Sequence, residues 1–163
     1  MTTESISKTP SPAALDPAVF ARLLDEGYGP GAWHGNDLRA ALADVSPEAA
    51  FWRPAPDRHN IAEVALHHAF VVRGVIAKVG GREPAQFALD GDDWFVLSED
   101  GPLSWADVLN VVDEQQRQLA DAVADLGASA LPVSERFDLV LGVTCHAIYH
   151  AGQVRLLKVL RDK

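Results

Sequence analysis

His146 and His150 stand four residues apart inside an apolar-periodic stretch that runs from about Ser134 or Phe137 to Lys158 or beyond. No other feature limits the possible folds of this chain as strongly. An α-helix turns about 100° per residue, so positions i and i+4 share one face, one turn apart. Two imidazoles on one face can chelate a single metal ion. Further ligands must then come from a helix packed against this one, which calls for a helical bundle with side chains converging in its core. The other candidates are the adjacent His67 and His68, inside an earlier helical segment. Successive residues diverge by about 100°, so only one of the two is expected to point inward. Ile61, Val64 and Val71 frame either choice equally well.

The rest of the chain supplies the partner helices. Asp16 with Pro17 reads as an N-cap followed by proline at the first helical position. Val19, Phe20, Leu23 and Leu24 make an apolar stripe, and Gly27, Gly29, Pro30 and Gly31 stop it. Asn36 is expected to cap a short piece carrying Leu38, Ala41 and Leu42, and Ser46-Pro47-Glu48 opens another short helix. Asn60 to Glu63 forms a variant capping box for a helix reaching about Val79, ended by Gly80-Gly81. Residues 82–102 are irregular. Ser104 starts a helix through Leu109, Val112, Gln116, Leu119 and Val123 to about Leu126, with Gly127 and Pro132 in the next loop. Leu139 to Val143 is apolar enough for a short strand, but its continuation at Ile148 and Leu156-Leu157 favours helix. Stripes of this length must bury against one another. The expected fold is all-α, a four-helix bundle with a long connection between the second and third core helices.

A chain of 163 residues is expected to form one domain, here residues 13–163 after a flexible lead-in over 1–12. The formal net charge of -9 sets a surface that repels phosphate backbones, so nucleic acid is an improbable partner. The lone Cys145 allows no internal disulfide. It lies about 100° from His146 and is expected to face another helix as a small buried residue. Residues 1–12 carry no apolar core of a signal peptide and no stretch is long enough to span a bilayer, so the expected location is the cytoplasm.

Three neutral imidazoles would leave a coordination position open for water or substrate, the layout of a catalytic rather than a closed structural site. Nickel and zinc both suit imidazole, and manganese is a further option. Each ligand needs an acceptor for its other ring nitrogen. Glu63, one turn before His67, is placed for that task, although an exposed capping role is the more ordinary expectation. Tyr149 and Gln153 are expected at the rim of the site, and His34 in the loop after the first helix is the best further candidate for acid–base work or substrate contact. The acidic turn from Asp90 to Trp94 is a candidate for closing the pocket.

In order along the chain, Gly31-Ala32-Trp33-His34-Gly35, Arg53-Pro54-Ala55-Pro56, Ile61 to His67, Asp93-Trp94, Ser104-Trp105 and His146 to Val154 form a set of landmarks. Taken together, they resemble the DinB superfamily of metal-binding four-helix bundles, whose relatives include bacterial thiol-dependent S-transferases. The resemblance implies His67, rather than His68, as the ligand beside His146 and His150, and leaves His68 without a role. It also implies a homodimer. The family's name refers to induction by DNA damage, a regulatory association and not DNA contact. Two functions follow as expectations. One is a metal-dependent enzyme, a thiol S-transferase or a hydrolase, acting on a small molecule with a low-molecular-weight thiol or water as nucleophile. The other is a non-catalytic dimeric stress protein with a structural or vestigial metal site.

Overall fold

A computed structural model describes residues 16–125 and 131–163, which form six helices and no strand. These are α1 (Pro17–Tyr28), α2 (Leu38–Leu42), α3 (Pro47–Phe51), α4 (Ile61–Val79), α5 (Trp105–Ala124) and α6 (Val133–Arg161). The expected lead-in over 1–12 and the loop at Gly127 lie outside the described residues.

Local chemistry sets most of the boundaries. Asp16 accepts from the Ala18 N–H, with Pro17 at the start of α1. Asp37, not Asn36, caps α2, because its carboxylate reaches the Ala40 N–H. Ser104 and Asp107 form a reciprocal capping box that satisfies two free amides at the start of α5. The apolar run Leu139 to Val143 is helical, in the middle of α6.

The four long helices close into a ring. α4 packs on α5, α5 on α1, α1 on α6 and α6 back on α4, while α2 covers α6 and α3 covers α4. Gly27 marks a close approach of α1 to α6. A Cβ there would stand 3.0 Å from Ala147 Cβ and 3.2 Å from the Thr144 carbonyl oxygen, so any larger residue would push the two helices apart by a few tenths of an ångström. The long connection, residues 80–104, folds back over α4 and buries Phe95 and Leu97 against it. Asn60 ties it down. Its amide oxygen caps α4 at the Glu63 N–H (2.9 Å) and its amide nitrogen donates to the Leu97 carbonyl (2.9 Å).

The buried apolar residues fall into two clusters. One gathers Leu66, Ala69, Val108, Val112, Ala147 and Val154 with α2, α3 and the connection; the other gathers Phe20, Val72, Ile76, Leu119, Val123, Val140 and Val143. Near the boundary between them, on α4, α5 and α6, lie His68, Gln116 and His146. A polar layer therefore divides the core, and its groups must satisfy one another.

Candidate metal centre

α4 and α6 are neighbours, and at their contact three imidazoles converge. His67 Nε2 lies 3.1 Å from His146 Nε2, and His150 Nε2 lies 3.0 Å from the same atom. One ring nitrogen from each of the three sits within 4.8 Å of the others, a group that could hold a metal ion. Around a tetrahedral ion with bonds of about 2.0–2.1 Å, neighbouring nitrogens stand about 3.3 Å apart. The observed spacing is within a few tenths of an ångström of that.

Each ring is aimed by its other nitrogen. His67 Nδ1 donates to the carbonyl oxygen of Asp93 (2.9 Å) and to its carboxylate (3.0 Å). Both partners only accept, so the proton is on Nδ1 and Nε2 of the neutral ring is bare. His150 Nδ1 donates to Gln153 Oε1 at 2.6 Å, and Gln153 Nε2 in turn donates to the Tyr149 hydroxyl at 3.0 Å. His146 Nδ1 lies 2.9 Å from Nδ1 of the fully buried His68, whose Nε2 accepts from Gln116 Nε2 at 2.6 Å. A neutral His68 that accepts at Nε2 carries its proton on Nδ1 and donates it to His146 Nδ1. His146 then carries its own proton on Nε2, directed at the two bare nitrogens of His67 and His150. The network closes with every group satisfied.

Burial keeps His68, His146 and His150 uncharged. It pushes the His146 pKa down to about 4, helped by the neighbouring His150 and His67. Burial likewise lowers His150 to about 4, against the opposing pull of its Gln153 hydrogen bond. His68 is driven well below its ordinary value by burial and by the three histidines around it. Neutral imidazole is the form that coordinates metal.

The connection supplies a second brace. Trp94 lies between two imidazoles, its ring stacked on His59 at 3.8 Å and on His67 at 4.0 Å between centroids. His59 Nδ1 donates to Glu63 at 3.0 Å. Glu63, 1% exposed, also receives the Arg53 guanidinium and the Leu97 N–H. Burial raises its pKa, but Arg53, the Leu97 amide and His59 outweigh that and hold the carboxyl below its usual range. Asp93 adopts a left-handed backbone (φ 69°), the only non-glycine residue with positive φ among the described residues. Strained backbone of this kind persists where surrounding contacts determine it, here the two hydrogen bonds to His67 and the stacked indole. Next to this brace opens a cleft of about 470 Å³, lined by His59, Trp94, Gln153, Leu156 and Leu160 among others.

Several expectations need correction. His67 and His68 are both buried, because α4 is covered by α5, by α6 and by the connection, and its buried arc is far wider than one stripe. Glu63 neither braces His67 nor sits exposed as a cap residue; it is the buried centre of the Arg53–His59–Leu97 cluster. Cys145 is exposed, since α6 is covered on one side only and Cys145 shares its outer face with Leu141 and Tyr149. His34 does not join the cluster. Its Nε2 donates to the Glu26 carbonyl at the end of α1 (2.9 Å). Tyr149 and Gln153 do stand beside His150, Tyr149 with its ring edge-on at 5.2 Å. Sequence reasoning assigned no role to His68 or Gln116, and it placed Asp93 in a pocket-closing turn without foreseeing its hydrogen bonds to His67. Gln116 had a visible signal, a polar residue inside the apolar stripe of α5.

A family model described as the DinB superfamily matches residues 32–154, which include all three converging histidines. No curated protein and no solved structure matches the chain. No helix among the described residues is long and apolar enough to cross a membrane.

Proposed function

The chain belongs to the DinB superfamily, and from that premise we propose that it is a metal-dependent enzyme acting on a small molecule, either a thiol S-transferase or a hydrolase. The observation that carries this reading is the convergence of three Nε2 atoms from His67, His146 and His150, each on a ring with its Nδ1 already hydrogen-bonded. These residues fit a divalent cation of the nickel, zinc or manganese type, with a coordination position left open. A divalent ion held there lowers the pKa of a coordinated thiol or water, which makes a nucleophile at neutral pH.

The protein's own groups supply orientation and shelter. Asp93 and Gln153 aim His67 and His150. Trp94 covers one face of His67 and excludes water from it. The adjoining cleft, walled by Trp94, Leu156 and Leu160, offers apolar surface to the body of a small substrate, with His59 and Gln153 as polar contacts. Tyr149 stands at the rim, exposed and hydrogen-bonded through Gln153 to His150. The reading includes a homodimer. Leu141, Tyr149 and Val159 are exposed along α6 beside the cleft, an apolar face suited to a second copy of the chain.

Elemental mass spectrometry tests the site. Untagged protein should carry an equivalent of nickel, zinc or manganese, and a His146→Ala/His150→Ala variant should carry none. Metal in neither, even after reconstitution, overturns the proposal. Loaded protein is then assayed with an electrophile plus a low-molecular-weight thiol, and with esters and amides in water. Chelation should leave the helical content nearly unchanged, because the core is built without the ion. Collapse on chelation would favour a structural metal instead. Light scattering reports the dimer.

A further inference from the structure

His68 is the most deeply buried titratable ring in the molecule's polar layer, and a three-ligand site does not use it. Its two nitrogens are nevertheless both committed, one to His146 on α6 and one to Gln116 on α5. Gln116 is the end of the chain of hydrogen bonds, and its amide can present either a donor or an acceptor to His68 without a change of protonation. The direction of the whole chain therefore depends on which end of that amide faces His68.

In the arrangement observed, Gln116 donates, and the consequence propagates. His68 accepts at Nε2 and donates from Nδ1; His146 accepts at Nδ1 and keeps its proton on Nε2. That proton occupies the lone pair that a metal ion requires. Coordination through His146 Nε2 demands the opposite tautomer, with the proton on Nδ1. His146 Nδ1 must then donate to His68 Nδ1. His68 must carry its proton on Nε2, and Gln116 must present its oxygen.

We propose that Gln116, His68 and His146 form a two-position hydrogen-bond chain whose direction reverses when an ion enters the three-histidine site, with His68 and Gln116 as positioning residues for His146. The inference rests on the metal-binding reading above. The reversal balances: each of the two rings carries one proton before and after. The proton between the two Nδ1 atoms passes from His68 to His146. His146 releases its Nε2 proton to water, His68 takes up one from water at Nε2, and the Gln116 amide turns over to accept it. No net charge is created in the apolar core, which is why a buried histidine and glutamine can serve here where a carboxylate would have to be desolvated.

The test is ring-nitrogen NMR on uniformly ¹⁵N-labelled full-length protein, metal-free and with one equivalent of zinc. Long-range proton–nitrogen correlations distinguish the two neutral tautomers of each histidine. Metal-free protein should show His68 protonated at Nδ1 and His146 at Nε2; zinc should exchange both assignments. A Gln116→Glu variant, whose carboxylate only accepts, should show His68 protonated at Nε2 before zinc is added. It should also bind zinc about tenfold more tightly in competition with a chelator, within the range set by outer-shell partners. Zinc that shifts His67, His146 and His150 while leaving the His68 tautomer unchanged overturns this inference and spares the metal site. Zinc that shifts none of the three overturns both. An unchanged zinc affinity in Gln116→Glu overturns the coupling to Gln116.

Discussion

His67 and His146 face each other across 3.1 Å, yet they are held in opposite ways. His67 is braced from outside the bundle by a loop residue in a left-handed conformation, Asp93, and by a stacked indole, Trp94. His146 is braced from inside, by a second helix through His68 and a third through Gln116. The outer brace is partly open to water, with the Asp93 side chain 59% exposed; the inner one has His68 fully buried. A loop can let go without disturbing helix packing, whereas the inner chain is part of the core. On the metal-binding reading proposed above, the difference would put ligand exchange and substrate access on the His67 side and rigid registration of the site on the His146 side.

The comparison can be broken most severely at Glu63. Glu63→Ala removes the buried carboxylate that gathers Arg53, His59 and the Leu97 amide, and so releases the connection that carries Asp93 and Trp94. Leaving those groups without their partner should cost about 3 kcal/mol, read from urea unfolding of metal-free protein. Hydrogen exchange should accelerate first in residues 93–97 and not in the Gln116 region. Equal acceleration in both would mean the two braces are one unit.

Acid strikes the two histidines of α6. His146 and His150 have folded-state pKa values of about 4, below the unfolded value of about 6.5. Between those values the unfolded chain binds more protons than the folded one, so stability falls as pH drops through this window. Metal-free protein should therefore show its highest melting temperature above about pH 6.5 and lose stability steadily towards pH 4. A His146→Gln/His150→Gln variant should flatten that slope. A slope that persists unchanged would place the responsible protons elsewhere.

Smaller effects separate the two braces at the level of the ion. His68→Leu keeps a buried side chain but leaves His146 Nδ1 without its partner, and zinc affinity should fall about 10- to 100-fold. Asp93→Gly retains the positive φ and the carbonyl that accepts from His67 and removes only the carboxylate. Its loss of zinc affinity should stay below about tenfold, with the melting temperature unchanged, because glycine relieves the strain at that position. Isothermal titration on the two variants side by side gives the ranking. An Asp93→Gly loss larger than that of His68→Leu would reverse the assignment of rigid and exchangeable sides.

What was readable in the sequence follows the same division. The helices were legible because their caps are local, as at Asp16, Asn60 and Ser104, and because their stripes keep the helical period. The His146–His150 pair was legible because i,i+4 spacing is itself a geometry, and the family landmarks selected His67 over its neighbour. The braces were not. Asp93 reaches His67 only through a loop conformation that no periodicity encodes. His68 looked redundant because a helical wheel assumes one buried face, and α4 has contacts nearly all round. Cys145 failed for the converse reason, an apolar residue on a helix that is covered on one side. Glu63 sits at a capping position, and its partners come from both sides of it in the chain, at Arg53 and Leu97.

The neighbouring of α4 and α6 has a consequence for how the chain comes apart. His67 and His146 are 79 positions apart in sequence. A permanent bridge between them would withdraw about 4–5 kcal/mol of chain entropy from the unfolded state. A coordinated ion is a bridge that can open. While it is in place, the first and last of the histidine-bearing helices cannot separate, and the route to the unfolded chain passes through the breaking of a metal–nitrogen bond. An ion held by these histidines would make the lifetime of the fold a property of its coordination sphere, with ligand exchange on the loop side setting the clock for unfolding.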